Sequence, residues 1–85
     1  MPHLVRIDPA RNMYRWYRVE LASSLFEAFV VVRAWGRLGT PAQHIRLTVV
    51  ADQAEGEKLV EKIKLRRLKR GYILREEPDH AFTPY

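Results

Sequence analysis

A chain of 85 residues, 47% hydrophobic and 11% aromatic, has enough apolar side chain for one compact core and too little length for a second. It has no cysteine, which excludes disulfides, zinc–thiolate sites and thiol catalysis and fits a reducing, cytoplasmic compartment. Fifteen Lys and Arg against ten Asp and Glu leave a net charge of +5, so the expected partner is anionic, with nucleic acid ahead of a membrane surface.

Leu4 to Ile7 reads as a first strand, closed by Asp8-Pro9 because a residue before proline avoids the helical region. Ala10 to Met13 is a turn, and Tyr14 to Leu21, dense in Tyr, Trp and Val, is a second strand that Ser23-Ser24 breaks. Phe26 to Arg37 is a third strand, and Gly36, Gly39 and Pro41 turn it into a fourth at Ile45 to Val50. Short connections between consecutive strands predict an antiparallel meander. The longest apolar stretch, Ala28 to Val32, is far shorter than the roughly 20 residues of a membrane span. No long apolar run follows Met1 either, so a cleaved secretory signal is not expected.

Asp52, with Glu55 three residues on, marks a helix start. The helix is predicted to run from Gln53 to Arg70 and to end on Gly71 in the left-handed conformation. On a wheel, Leu59, Val60 and Ile63 share the stripe that packs on the sheet, and Gly56 marks a close approach to a strand. Lys58, Lys62, Arg66 and Lys69 fall on a flank of that stripe. Arg67 falls near the stripe itself, where the wheel gives it no partner. Tyr72 to Arg75 adds a short strand, and residues 76–85 form a loosely ordered tail behind a domain of residues 1–75. The expected fold class is α+β, an antiparallel meander with one long helix packed across it.

Catalysis and metal binding find no support: His3, His44 and His80 stand far apart, and neither Ser23-Ser24 nor Gly36 to Gly39 matches a nucleophile or phosphate-loop motif. No cofactor is expected. Two features suit an anionic polymer. Alternation puts Arg33, Trp35 and Arg37 on one face of the third strand, where an indole between two guanidiniums can stack on a base while they take phosphates. The rival reading makes Trp35 a core residue and leaves the arginines solvated or paired with Glu20 and Glu27. From Lys58 to Arg75 there are eight cations and one acid, with Lys69 and Arg70 at the helix end, more than a helix dipole explains.

The run Leu25-Phe26-x-x-Phe29, then Val32-Arg33-x-Trp35-Gly36-Arg37-x-Gly39-Thr40-x-x-Gln43, resembles the WGR domain. Lys69-Arg70-Gly71-Tyr72 and the opening Arg6 to Met13, common in short bacterial stand-alone versions, resemble it too, so the likeness covers residues 4–75. It implies an antiparallel sheet crossed by one helix, and nucleic-acid binding. In poly(ADP-ribose) polymerases this domain docks at DNA breaks, its tryptophan on the terminal nucleotide and its arginine on the DNA end or a neighbouring domain. Those roles would fall on Trp35 and Arg37, while the polymerase activity would not carry over. DNA, with a preference for its ends, is therefore the expected partner, with a protein partner on the Trp35/Arg37 surface as the alternative.

Overall fold

The computed structural model describes residues 3–23 and 28–75. Five strands, β1 (His3–Asp8), β2 (Met13–Ser23), β3 (Phe29–Arg37), β4 (His44–Val50) and β5 (Ile73–Leu74), form one sheet in the order β4-β3-β2-β1-β5. Every neighbouring pair is antiparallel. A single helix, α1 (Gln53–Lys69), crosses from the β4 edge to the β5 edge, so the α+β meander expected from the sequence is the observed architecture. Ser23 still belongs to β2, and the expected start of the third strand at residues 26–27 and the tail at 76–85 lie outside the described residues.

Between β1 and β2 the chain makes a short 3-10 turn at Pro9–Arg11, which Asn12 closes in the left-handed region at φ 54°. Asparagine is among the few non-glycine residues that take this conformation readily.

Register decides which residues meet the helix. Leu4, Tyr17 and Trp35 stand opposite one another across β1, β2 and β3, and His44 faces Trp35 from β4. The face they share also carries Val19, Leu21, Phe29, Val31 and Val50, and α1 packs on it through Ile63, Leu59 and Val60. Gly56 is where helix and sheet come closest, because a Cβ there would collide with the δ carbons of Leu21. This is the close approach that its place in the wheel predicts.

Both helix ends are capped. Asp52 accepts a hydrogen bond from the Glu55 amide at 2.8 Å, and the Glu55 carboxylate accepts one from the Ala51 amide at 2.9 Å, one residue earlier than in the usual capping box. At the other end Gly71 sits at φ 94°. The Tyr72 amide donates to the Arg67 carbonyl and the Gly71 amide to that of Leu68, a Schellman arrangement that folds Tyr72 back beside Arg67. Replacing Asp52 by Ala is expected to cost about 1 kcal/mol in urea unfolding, and Asp52→Asn a small fraction of that. An unchanged midpoint for Asp52→Ala would mean that the cap does not hold the helix start.

Candidate nucleic-acid interface

The sheet face beneath α1 is closed at the Val50 end and open at the opposite end. There a row of three rings crosses three strands: Tyr17, Trp35 and His44. Tyr17 and Trp35 stack with centroids 5.5 Å apart and planes 16° from parallel, and Trp35 and His44 stack at 5.3 Å and 19°. Tyr17 is fully buried, Trp35 half-buried and His44 exposed, so the row runs from the core into solvent. Trp35 packs against the core cluster, as the rival reading of its position has it, and remains only half-buried.

Arginines flank the rings on both sides. Two residues toward the strand ends, Arg6, Arg15 and Arg37 stand directly opposite one another on β1, β2 and β3. Two residues the other way, Arg33 faces Arg46 across β3 and β4. From above, the Arg67 guanidinium lies 4.2 Å from the Tyr17 ring centroid and 5.8 Å from that of Tyr72. Among the described residues none of these arginines has a carboxylate within ion-pairing distance. Glu20, a partner considered for Arg33 and Arg37, lies on the other face of β2 opposite Val32, and Glu27 lies outside the described residues. The Arg33 Nε and the Tyr17 hydroxyl are buried without a hydrogen-bond partner among the described residues. Each such orphan costs about 1–3 kcal/mol.

The turn after Arg37 shapes the rim. Gly36 pairs with Trp16, and the loop folds back over both: a Cβ on Gly36 would stand 3.2 Å from the Gln43 amide nitrogen and from the Pro41 carbonyl oxygen. The buried Trp16 donates its indole N–H to the Thr40 carbonyl at 3.2 Å. Gly39, at φ 84°, makes the turn itself. Between this loop, Arg15, Arg37, Arg67 and the Trp35 indole lies an open cleft of about 430 Å3.

The cations predicted from the sequence fall into two groups. Arg33 and Arg37 join Trp35 at the open end of the sheet. Lys58, Lys62, Arg66 and Lys69 remain on the exposed flank of α1, with Lys62, Arg66 and Lys69 around Leu65, and Arg70 is the exposed C-cap. Arg15, Arg46 and Arg67 join the site without a signal in the spacing of any one strand or helix face. The first two share the parity of Tyr17 and His44 on their strands, and it is the register between strands that relates them to Trp35. Arg67 lies on the sheet-facing stripe because its guanidinium sits over the Tyr17 ring, and that buried ring accounts for a cation there. Among the described residues no three His, Asp or Glu side chains cluster as metal ligands.

Residues 2–79 match the WGR domain family. Over 70 residues the chain is 31% identical to the uncharacterized protein y4dW of Sinorhizobium fredii, a match that covers 82% of this chain and 34% of that protein. The chain therefore spans about a third of the length of this curated relative. No solved structure gives a significant match.

Gly36→Ala is expected to lower stability by about 1–3 kcal/mol, because its Cβ meets backbone atoms of the returning loop rather than a side chain that can swing away. Denaturant unfolding monitored by tryptophan fluorescence measures this, and a parent-like midpoint would show that the loop yields freely.

Proposed function

This chain belongs to the WGR domain family, and from that membership we propose that it is a nucleic-acid-binding module that takes DNA at the open end of its sheet and catalyses nothing. The observation that carries this reading is the pair of unpaired arginine rows, Arg6–Arg15–Arg37 and Arg33–Arg46, on either side of the stacked rings. Like charges directly opposite in a sheet are destabilising, and among the described residues no carboxylate offsets them. Phosphates supply the missing negative charge, and the planar fork of arginine meets their oxygens in pairs. Trp35 is held between Tyr17 and His44, so it offers a base or sugar the exposed edge of its indole while the exposed His44 ring presents the outer face of the row, and stacking of this kind contributes about 1–3 kcal/mol per base. Arg67 and Arg15 line the same cleft and extend the positive rim.

The cationic flank of α1 belongs to this surface on the same reading. β4 and β5 run parallel, and a right-handed crossover between them, the hand such connections almost always take, turns Lys58, Lys62, Arg66 and Lys69 toward β4. DNA ahead of RNA and a preference for ends rest on the likeness to polymerase-associated domains, and a place on the nucleoid in the cytoplasm on DNA binding and the absence of cysteine.

Fluorescence anisotropy with short labelled duplexes, hairpins and single strands at several salt concentrations tests the proposal. Four to six neutralised phosphates give a log K against log[salt] slope of about −4 to −5 on duplex DNA. A flat salt dependence would reject phosphates and leave the Trp35/Arg37 surface to a protein partner. Trp35→Leu keeps apolar contact with the core and removes the stacking plane, so it is expected to stay folded and to bind at least about fivefold more weakly. Folded Trp35→Leu protein with undiminished affinity would remove Trp35 from the interface.

A further inference from the structure

The sheet face turned away from α1 carries a second surface of opposite character. Its rows follow from the register: Arg18–Ala34–Ile45, Glu20–Val32–Leu47 and Ala22–Val30–Val49 across β2, β3 and β4. Seven of these nine side chains are apolar, and the other two are one guanidinium and one carboxylate, so the grid is neutral in a chain of net charge +5. Ile45, Leu47 and Val49 are 66%, 64% and 72% exposed. Toward β1 the same face buries His3, Val5 and Trp16 and exposes Ile7 and Ile73 nearer the sheet edge. An edge strand normally turns its aliphatic side to the core, yet β4 turns His44 and Arg46 to the helix side and three of its four aliphatics, Ile45, Leu47 and Val49, to solvent.

We propose that this grid is the interface of a homodimer in which two copies pack the open β3–β4 halves of their sheets face to face. Charge argues for a second copy of the chain. The arginine rows and the helix flank lie on the opposite side of the sheet, so face-to-face packing holds both cationic surfaces outward with two sheets between them. A nucleic acid finds one cation on this grid and seven apolar side chains, which is poor chemistry for phosphates. The grid is also self-complementary, as a two-fold interface requires. An axis crossing the strands between the Arg18 and Glu20 rows sets Arg18 of each copy against Glu20 of the other, and Ile45 against Leu47.

Area sets the strength. Three strands about 4.8 Å apart and three rows about 7 Å apart cover roughly 300 Å2 of sheet, well under the ~800 Å2 per partner of a standard interface. The dimer is therefore weak and concentration-dependent, with dissociation in the micromolar range or above. Its consequence rests on the proposed function: two outward-facing cationic surfaces let one dimer hold two DNA segments, raising avidity without any new contact to DNA.

Sedimentation equilibrium of the full chain, from about 5 μM to about 500 μM, reads the dimer without DNA, so its failure is separable from failure of the DNA-binding reading. The mean mass is expected to rise from 10.0 kDa toward twice that value. Leu47→Glu, at an exposed position that leaves the core alone, is expected to fold normally and remain at the single-chain mass throughout. On a short duplex offering one site, parent and Leu47→Glu should bind equally. A parent chain that stays at the single-chain mass at the highest concentration overturns the proposal and assigns the face to a different protein. Dimerisation of Leu47→Glu like the parent also overturns it, since the contact would then lie elsewhere.

Discussion

The stack of Tyr17 on Trp35 joins the core to the interface. Tyr17 is fully buried, and four elements meet at its ring: β1 through Leu4, β3 through Trp35, α1 through Arg67, and the chain leaving α1 through Tyr72, edge-on at 6.2 Å. Of the two rings that sandwich Trp35, His44 is exposed and Tyr17 buried, so its orientation is inherited from a residue whose own place is fixed by burial. Packed interiors transmit such constraints because side chains there have few alternative rotamers. The Schellman cap extends the constraint, since it returns Tyr72 beside Arg67 and holds that guanidinium between two rings. Removing the Tyr17 ring would therefore loosen the end of the helix as well as the indole.

Around this stack the fold carries an electrostatic debt that its size makes noticeable. A domain of this length has on the order of 5 kcal/mol of net stability, and rows of like charge draw on it. Two circumstances keep the cost tolerable. Arg15, Arg37 and Arg46 are exposed, where the high dielectric of water weakens the repulsion between neighbouring charges. The C-terminal end of α1, with its partial negative charge, lies beside Arg66, Arg67 and Lys69. An anion bound between the rows would relieve the remaining repulsion, and by mass action anything that binds only the folded state stabilises it. Binding and stability are thus linked in this chain through the same side chains.

Much of this was legible in the residues. β-propensity and turn chemistry gave five strands in order, and Asp52, Glu55 and Gly71 gave the helix limits to within one residue. Alternation correctly put Arg33, Trp35 and Arg37 on one face, and the Trp-Gly-Arg run pointed to the family. What alternation within one strand could not give was the pairing between strands, because register is settled by loop lengths and burial together. Without it, Arg15 and Arg46 had no visible relation to Trp35, and Glu20 looked like a partner for arginines that lie on the opposite face. Arg67 was invisible for another reason: a hydrophobicity wheel treats every cation on the packing stripe as an anomaly, whereas a guanidinium lying flat on a buried tyrosine is a packed group.

The polarity of β4 brings these points together. On its helix side Val50 is buried and Thr48 half-buried, at the end where α1 begins, while the exposed His44 and Arg46 lie toward the open end. A slip of one residue in the β3–β4 register would turn Ile45, Leu47 and Val49 under the helix and send His44 and Arg46 to the far face. Burial alone would favour that slip, since it hides three exposed aliphatics at about 25 cal/mol per Å2. What opposes it is the loop. Gly36 lets the chain fold back against its own strand, Trp16 holds Thr40, and the Gln43 amide donates to the Trp35 carbonyl at 3.0 Å, which sets the parity of every residue that follows. The glycine of the Trp-Gly-Arg run therefore does more than permit a turn. It keeps an aliphatic strand facing outward so that His44 can stack on Trp35 and Arg46 can stand opposite Arg33.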